Sequence, residues 1–175
     1  NTGRCLGFPP PQSPVPEADN PTFERAEEKM EVGIGIHGNP GRQRIKLRTA
    51  DEITEILALS VIEDPEYRRT VREFDEEKGE WVDVELVDPP FRPGDRVLAF
   101  VNSMGGTPDI ELPIIYRKLH EICEKKGLVI VRRLIGRYIT SLEMQGCSIT
   151  LLRMDDEMID LWDAPVKTPA LRWGI

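Results

Sequence analysis

A chain of 175 residues with 39% hydrophobic and 31% charged side chains can bury one full core and reads as a single water-soluble domain. Its net charge of −8 and pI near 4.9 argue against nucleic acid and against anionic membrane surfaces, since both call for a surplus of Lys and Arg. No apolar run approaches the roughly 20 residues of a membrane span. No charged-then-apolar signal segment opens the sequence. Cys5, Cys123 and Cys147 form no Cys-x-x-Cys pair, so reduced thiols in a cytoplasm fit better than a disulfide framework or a zinc site.

Residues 1–22 carry Pro9-Pro10-Pro11, Pro14, Pro16 and Pro21. Proline fixes φ and lacks an N–H, which predicts an extended arm or linker whose first part is a poorly ordered tail. A single α/β domain is expected over 23–175. Its first strand runs from Glu28 through Ile36. Thr49-Ala-Asp-Glu52 is a capping box, and Ile53, Ile56, Leu57 and Val61 follow at helical spacing, giving a helix over 50–62. Tyr67–Phe74 and Glu80–Val87 alternate around Glu76-Glu77-Lys78-Gly79 and predict a charged β-hairpin. Val97-Leu-Ala-Phe-Val101 is a continuous apolar run, the pattern of a central strand. Thr107 and Pro108 suit a helix start, and Gly127 suits its stop, so the next helix spans about 109–126. Leu128–Leu134 is a strand that follows as a crossover. Thr140-Ser-Leu-Glu143 predicts a short helix to Gly146. Cys147–Arg153 is a strand, Asp155-Asp-Glu157 opens a last short helix, and Trp162 and Trp173 pack an irregular tail onto the domain. This order implies a two-layer α/β domain with a mixed sheet and helices mainly on one face.

Chemistry concentrates in Glu31-Val-Gly-Ile-Gly-Ile-His37-Gly-Asn-Pro-Gly41. The segment alternates like a strand and then turns away through Asn39-Pro40-Gly41. His37 falls at the strand mouth, with Gly35 and Gly38 allowing a backbone or small ligand close to the imidazole. From the residues alone, a hydrogen-bonded surface or core histidine is the competing reading. Gly105-Gly106-Thr107-Pro108 is either a phosphate-holding turn or a plain turn with a helix cap. It lacks the Lys-Ser/Thr of a P-loop and the three-glycine dinucleotide fingerprint. Asp155-Asp156-Glu157 is either a cation site or a dipole-stabilised cap. His120 reads as structural or solvent-facing, and Cys147 as a small buried residue rather than a nucleophile.

Met30-Glu-Val-Gly-Ile-Gly-Ile-His-Gly-Asn-Pro-Gly41 resembles a segment of the substrate-binding subunit of bacterial dihydroxyacetone kinases. So, in the same order, do Gly94-Asp-Arg-Val-Leu98, Val101-Asn-Ser-Met-Gly-Gly-Thr-Pro108, Thr140-Ser-Leu-Glu-Met-Gln-Gly-Cys-Ser-Ile-Thr-Leu-Leu152 and Leu161-Trp-Asp-Ala-Pro-Val-Lys-Thr-Pro-Ala-Leu-Arg-Trp173. The resemblance runs from Asn20 to the C-terminus and is nearest to the subunits that work with the sugar phosphotransferase system. It implies the second of the family's two domains, a two-layer α/β unit. It implies that His37 binds the ketone carbon of dihydroxyacetone, or of a similar short ketose, as a covalent hemiaminal, with Gly38 beside it. It implies no cofactor on this chain, nucleotide on a partner kinase subunit, a phosphotransferase protein as donor, and a homodimer or other homo-oligomer. The acid–base residues belong to the first domain in that family. Asn39 stands where glutamate is usual, Pro113 where tyrosine is usual and Lys167 where histidine is usual. The expected function is therefore the substrate-binding part of a dihydroxyacetone kinase in the cytoplasm, inactive as an isolated chain. The alternatives are a non-catalytic ketose sensor that regulates a partner and a structural or assembly module.

Overall fold

The computed structural model describes the backbone of residues 2–8 and, with side chains, residues 29–34, 41–142 and 144–174. Six strands form one mixed sheet. They are β1 (Thr2–Phe8), β2 (Lys29–Val32), β3 (Gln43–Lys46), β6 (Arg96–Ser103), β7 (Val129–Gly136) and β8 (Gln145–Arg153), in the order β3-β2-β1-β8-β6-β7. β6 and β7 are parallel and are joined through α2 (Leu112–Lys125), and every other pairing in this sheet is antiparallel. β4 (Tyr67–Asp75) and β5 (Glu80–Asp88) form a separate hairpin, and β9 (Val166–Lys167) and β10 (Arg172–Trp173) a small ribbon in the tail.

The core lies between the sheet and the helices α1 (Ala50–Ile62) and α2. Met30 and Val32 of β2, Val97, Ala99 and Val101 of β6 and Ile149 and Leu151 of β8 alternate onto this face. Leu57, Ala58 and Val61 of α1 meet them together with Leu112, Ile115, Leu119 and Ile122 of α2. Burying side chains of this size stabilises by roughly 1.5–3 kcal/mol each before entropy is charged. α3 (Asp156–Asp163) is tied to the opposite face by Arg132 with Asp163 and by Arg96 with Asp156. Trp162 and Trp173 meet edge to face at 5.7 Å, which holds the tail ribbon against α3.

The architecture is the expected two-layer α/β domain with a mixed sheet, and three of its local expectations need correction. Within the Pro-rich arm expected over 1–22, Thr2–Phe8 is a strand in the middle of the sheet, paired with β2 and β8. Proline begins only at Pro9, and the N–H groups of the preceding residues remain available for a ladder. The short helix expected over 141–146 does not form. The Ser141 hydroxyl accepts the Met144 N–H at 2.9 Å as a cap would, but the chain then bridges Gly105 and enters β8 at Gln145. Thr107 does not cap α2. A 3-10 turn over Asp109–Glu111 leads into the helix, and the Thr107 hydroxyl accepts the Gly146 N–H at 2.8 Å. By contrast Thr49 and Glu52 form the complete capping box of α1. Pro113 sits in the first turn of α2, where its missing N–H costs nothing.

Candidate functional site

β2 and β3 form the stem of a hairpin whose connection carries His37. The stem is closed by the Arg42 N–H donating to the Val32 carbonyl at 2.8 Å. Next to that closure lies Glu31, only 6% exposed although it is charged. Alternation sends Met30 and Val32 into the core and Glu31 to the other face. Arg44 is directly opposite on β3, and Gly7 opposite on β1. The Glu31 carboxylate accepts the Gly41 N–H at 2.9 Å with one oxygen. With the other it accepts Arg44 Nε at 3.3 Å and a terminal Arg44 nitrogen at 3.1 Å. A buried carboxylate needs partners of this kind to remain charged. Gly41 is required by close approach: a Cβ there would lie 2.3 Å from Glu31 Cγ and 2.7 Å from the Val32 carbonyl oxygen.

His37 and Gly38, the two substrate-binding residues expected from the sequence, lie outside the described residues, as does Asn39. Glu31 and Arg44 were not legible as partners. Thirteen positions separate them, and only the β2–β3 register brings them together. The one available signal was a charged residue set between the apolar Met30 and Val32.

A cleft of about 470 Å³ opens where β6 ends and α1 begins, lined by Leu47, Arg48, Ile53, Thr107, Pro108 and Gln145 among others. It borders the Lys29–Lys46 end of the β2–β3 stem, whereas the His37 connection leaves from the Val32–Gln43 end. Its walls are largely apolar, and Arg48 is engaged with Glu52 at 3.2 Å. The two glycine N–H groups of the Gly-Gly-Thr-Pro turn beside it are already engaged. The Gly105 N–H goes to the Ser103 hydroxyl at 3.1 Å and the Gly106 N–H to the Met144 carbonyl at 2.9 Å. Of the two readings of this turn, the geometry therefore supports the structural one over the phosphate cradle.

The acidic run is likewise a cap. Asp155 accepts the Met158 N–H at 2.8 Å, and Asp156 pairs with Arg96 at 2.7 Å. Among the described residues no three His, Cys, Asp or Glu side chains group as metal ligands. Cys147 is buried, and burial pushes the fully enclosed Cys123 thiol up to about 11, far from a reactive thiolate at neutral pH. His120 is exposed on α2, with Tyr116 edge-on at 6.1 Å. Among the described residues no helix is long and apolar enough to cross a membrane.

Comparison with known proteins places this geometry. The Dak1 domain model matches residues 2–170. The chain is 44% identical over 174 residues to the dihydroxyacetone-binding subunit DhaK of the PEP-dependent dihydroxyacetone kinase of Escherichia coli, covering 99% of this chain and 49% of that protein. It is 32% identical over 171 residues to L-erythrulose kinase of Pectobacterium atrosepticum, covering 98% of this chain and 26% of that one. The chain thus spans half or less of the length of these relatives. The dihydroxyacetone kinase operon co-activator Dha-DhaQ shares the fold, with a TM-score of 0.70 at 22% identity over 93% of this chain and 43% of that structure. A family match over nearly every residue, on the same mixed sheet, means that this chain belongs to the Dak1 domain family.

Proposed function

We propose that this chain is the ketose-binding part of a dihydroxyacetone kinase, in which His37 holds dihydroxyacetone or a similar short ketose as a hemiaminal and Gly38 leaves room beside it. The observation that carries this reading is the 44% identity, over 174 residues, to a protein named as a dihydroxyacetone-binding subunit. The L-erythrulose kinase relative supports a short ketose as the substrate class. A neutral imidazole nitrogen attacks the ketone carbon, the C=O π pair moves to oxygen, and that oxygen gains the proton that the ring gives up from its other nitrogen. Nothing leaves, so the mass rises by one whole ketose. Glycerol has no carbonyl and is not captured, a discrimination that hydrogen bonds to hydroxyl groups do not give. Phosphoryl transfer to a ketose hydroxyl then uses a nucleotide on a partner subunit, recharged by a phosphotransferase protein. This chain itself binds no cofactor, and one histidine supplies positioning without an acid–base pair or a phosphate clamp.

Native mass spectrometry with dihydroxyacetone tests the reading. The expected outcome is a ketose-sized increase that maps to His37, is lost in His37→Ala and weakens below the ordinary histidine pKa of about 6.5. No increase, or one that survives His37→Ala, overturns it. Because the same fold occurs in a protein named as an operon co-activator, capture alone does not separate kinase from sensor. Turnover with a donor subunit and the rest of the kinase does.

We further propose that the chain is a homodimer, with the second copy covering one face of the β4–β5 hairpin. Tyr67, Arg69, Val71 and Glu73 of β4 share that face with Val82, Val84 and Leu86 of β5. Tyr67 is 60% and Leu86 37% exposed. Neither Arg69 nor Glu73 forms an ion pair among the described residues, and a twofold axis at Val71 would set each against the other's copy. Light scattering at micromolar concentration should give a dimer mass that falls to a monomer in Leu86→Lys. A monomer mass for the unaltered protein overturns this proposal.

A further inference from the structure

We propose that Arg153 is a positioning residue: it fixes the direction in which the β4–β5 hairpin leaves the domain, and with it the face the hairpin offers to a second copy, an inference that rests on the homodimer reading above. The hairpin shares no ladder with the six-stranded sheet. Its direction is therefore set at its base, where residues 63–66 lead in and 89–95 lead out. Arg153 ends β8, a strand paired on both sides, with β1 and with β6. From that anchored strand its guanidinium spreads over the outgoing link. Nε donates to the Asp95 carboxylate at 3.1 Å, one terminal nitrogen to the Asp88 carboxylate at 3.4 Å and the other to the Pro89 carbonyl at 2.9 Å. Its central carbon lies 4.7 Å from the centre of the Phe91 ring. Asp88 is the last residue of β5, and Asp95 is held to β7 by the Val129 N–H, which donates to its carbonyl at 2.9 Å. One side chain thus joins the hairpin's end, its link and the sheet through a planar fork, which the point charge of a lysine does not reproduce. Pro89, Pro90 and Pro93 stiffen the same link by fixing φ. A strand of nine residues is about 30 Å long, so a swing of about 10° at the base carries the tip through about 5 Å. That exceeds the reach of an apolar contact. In a twofold pair both hairpins present the same face, so the error enters twice.

Direction and affinity are measured separately. Spin labels at Lys78→Cys in the hairpin turn and Lys125→Cys at the end of α2 report the angle of the hairpin in protein diluted to the monomer, in a chain whose own three cysteines are changed to alanine. Light scattering gives the dimer dissociation constant. Arg153→Met keeps the length of the side chain and removes every donor, whereas Arg153→Lys keeps the charge without the fork. For Arg153→Met the expected result is a label distance distribution about twice as broad and a dimer dissociation constant raised about tenfold, with Arg153→Lys between it and the unaltered protein. Loss of stability alone would move the urea midpoint but neither reading in the folded protein. A folded Arg153→Met protein with an unchanged distribution or an unchanged dissociation constant would overturn the assignment. If Arg153→Met does not fold, Arg153→Lys decides by the same criteria. If the unaltered protein is a monomer, the homodimer reading fails, and the label distances alone decide whether Arg153 sets the hairpin's direction.

Discussion

Two hairpins in this molecule are built on opposite principles. β2–β3 is short, and it is stitched into the sheet through β1, with Met30 and Val32 sealed in the core shared with the helices. β4–β5 has nine residues in each strand and stands outside the six-stranded sheet. Its tip aromatic residues, Phe74 and Trp81, stay 52% and 60% exposed although they meet edge to face at 5.7 Å. The first hairpin derives its position from burial and, among the described residues, carries one buried polar cluster, centred on Glu31. The second is held by its own cross-strand pairs, Arg68 with Glu85 at 3.2 Å and Arg72 with Asp83 at 3.8 Å, all well exposed and each worth at most about 1 kcal/mol. An isolated two-stranded ribbon is marginal in water, so the second hairpin is the region whose stability depends most on a partner.

The sharpest way to break this comparison is to truncate one apolar side chain in each. Met30→Ala should cost about 2–5 kcal/mol, because the side chain is 1% exposed and its removal leaves a cavity in the core. Val84→Ala, on the half-buried hairpin face, should cost no more than about 1 kcal/mol in the dilute monomer. Urea titrations of the two variants check this. Similar losses would mean that the hairpin face is as enclosed as the core, and a Val84→Ala effect that grows with protein concentration would locate the cover in a second copy.

The same contrast explains what the sequence disclosed. Where local chemistry decides the structure, reading it worked: Thr49 and Glu52 cap α1, and the charged turn at 76–79 divides β4 from β5. Where a long-range partner decides, it did not. Thr2–Phe8 carries two glycines and abuts Pro9, yet it is a strand because β2 and β8 offer it two ladders. Gln43–Lys46 has a single apolar residue, Ile45, so periodicity could not mark it; β2 supplies the register. The expected Thr140–Glu143 cap leads to no helix, because the Ser141 N–H donates to the Met104 carbonyl and Met144 bridges Gly105. For the candidate site, the sequence names His37 and Gly38, which lie outside the described residues, and it does not disclose the buried Glu31 cluster, because Arg44 reaches Glu31 only through the β2–β3 register and Gly41 approaches it only for want of a side chain.

The smallest effect concerns acid, and it should fall on the second hairpin's turn. Asp75 accepts from the Lys78 ammonium at 2.9 Å and from the N–H groups of Glu77 and Lys78 at 3.0 and 3.1 Å, while the Gly79 N–H donates to its carbonyl at 2.8 Å. The Lys78 ammonium first, and then these N–H groups, hold the Asp75 carboxyl below its usual value of 3.8. A group whose pKa is lower in the folded state binds fewer protons there than in the unfolded chain. The help it gives is therefore fully present above 3.8 and is lost as pH falls through the lower folded value. Glu52 is lowered in the same way by Thr49, so a global melt in acid would mix the turn with the α1 cap. Hydrogen exchange at the Lys78 and Gly79 amides isolates the turn. Those amides should keep constant protection from neutral pH to about 4, once intrinsic exchange rates are divided out, and lose it below. In Asp75→Asn the acid dependence should flatten, because the amide accepts the same N–H groups but carries no charge to lose. Turn amides with unchanged protection down to about pH 2, or an identical acid profile in Asp75→Asn, would show that pairing along the strands, rather than the Asp75 turn, holds the hairpin closed.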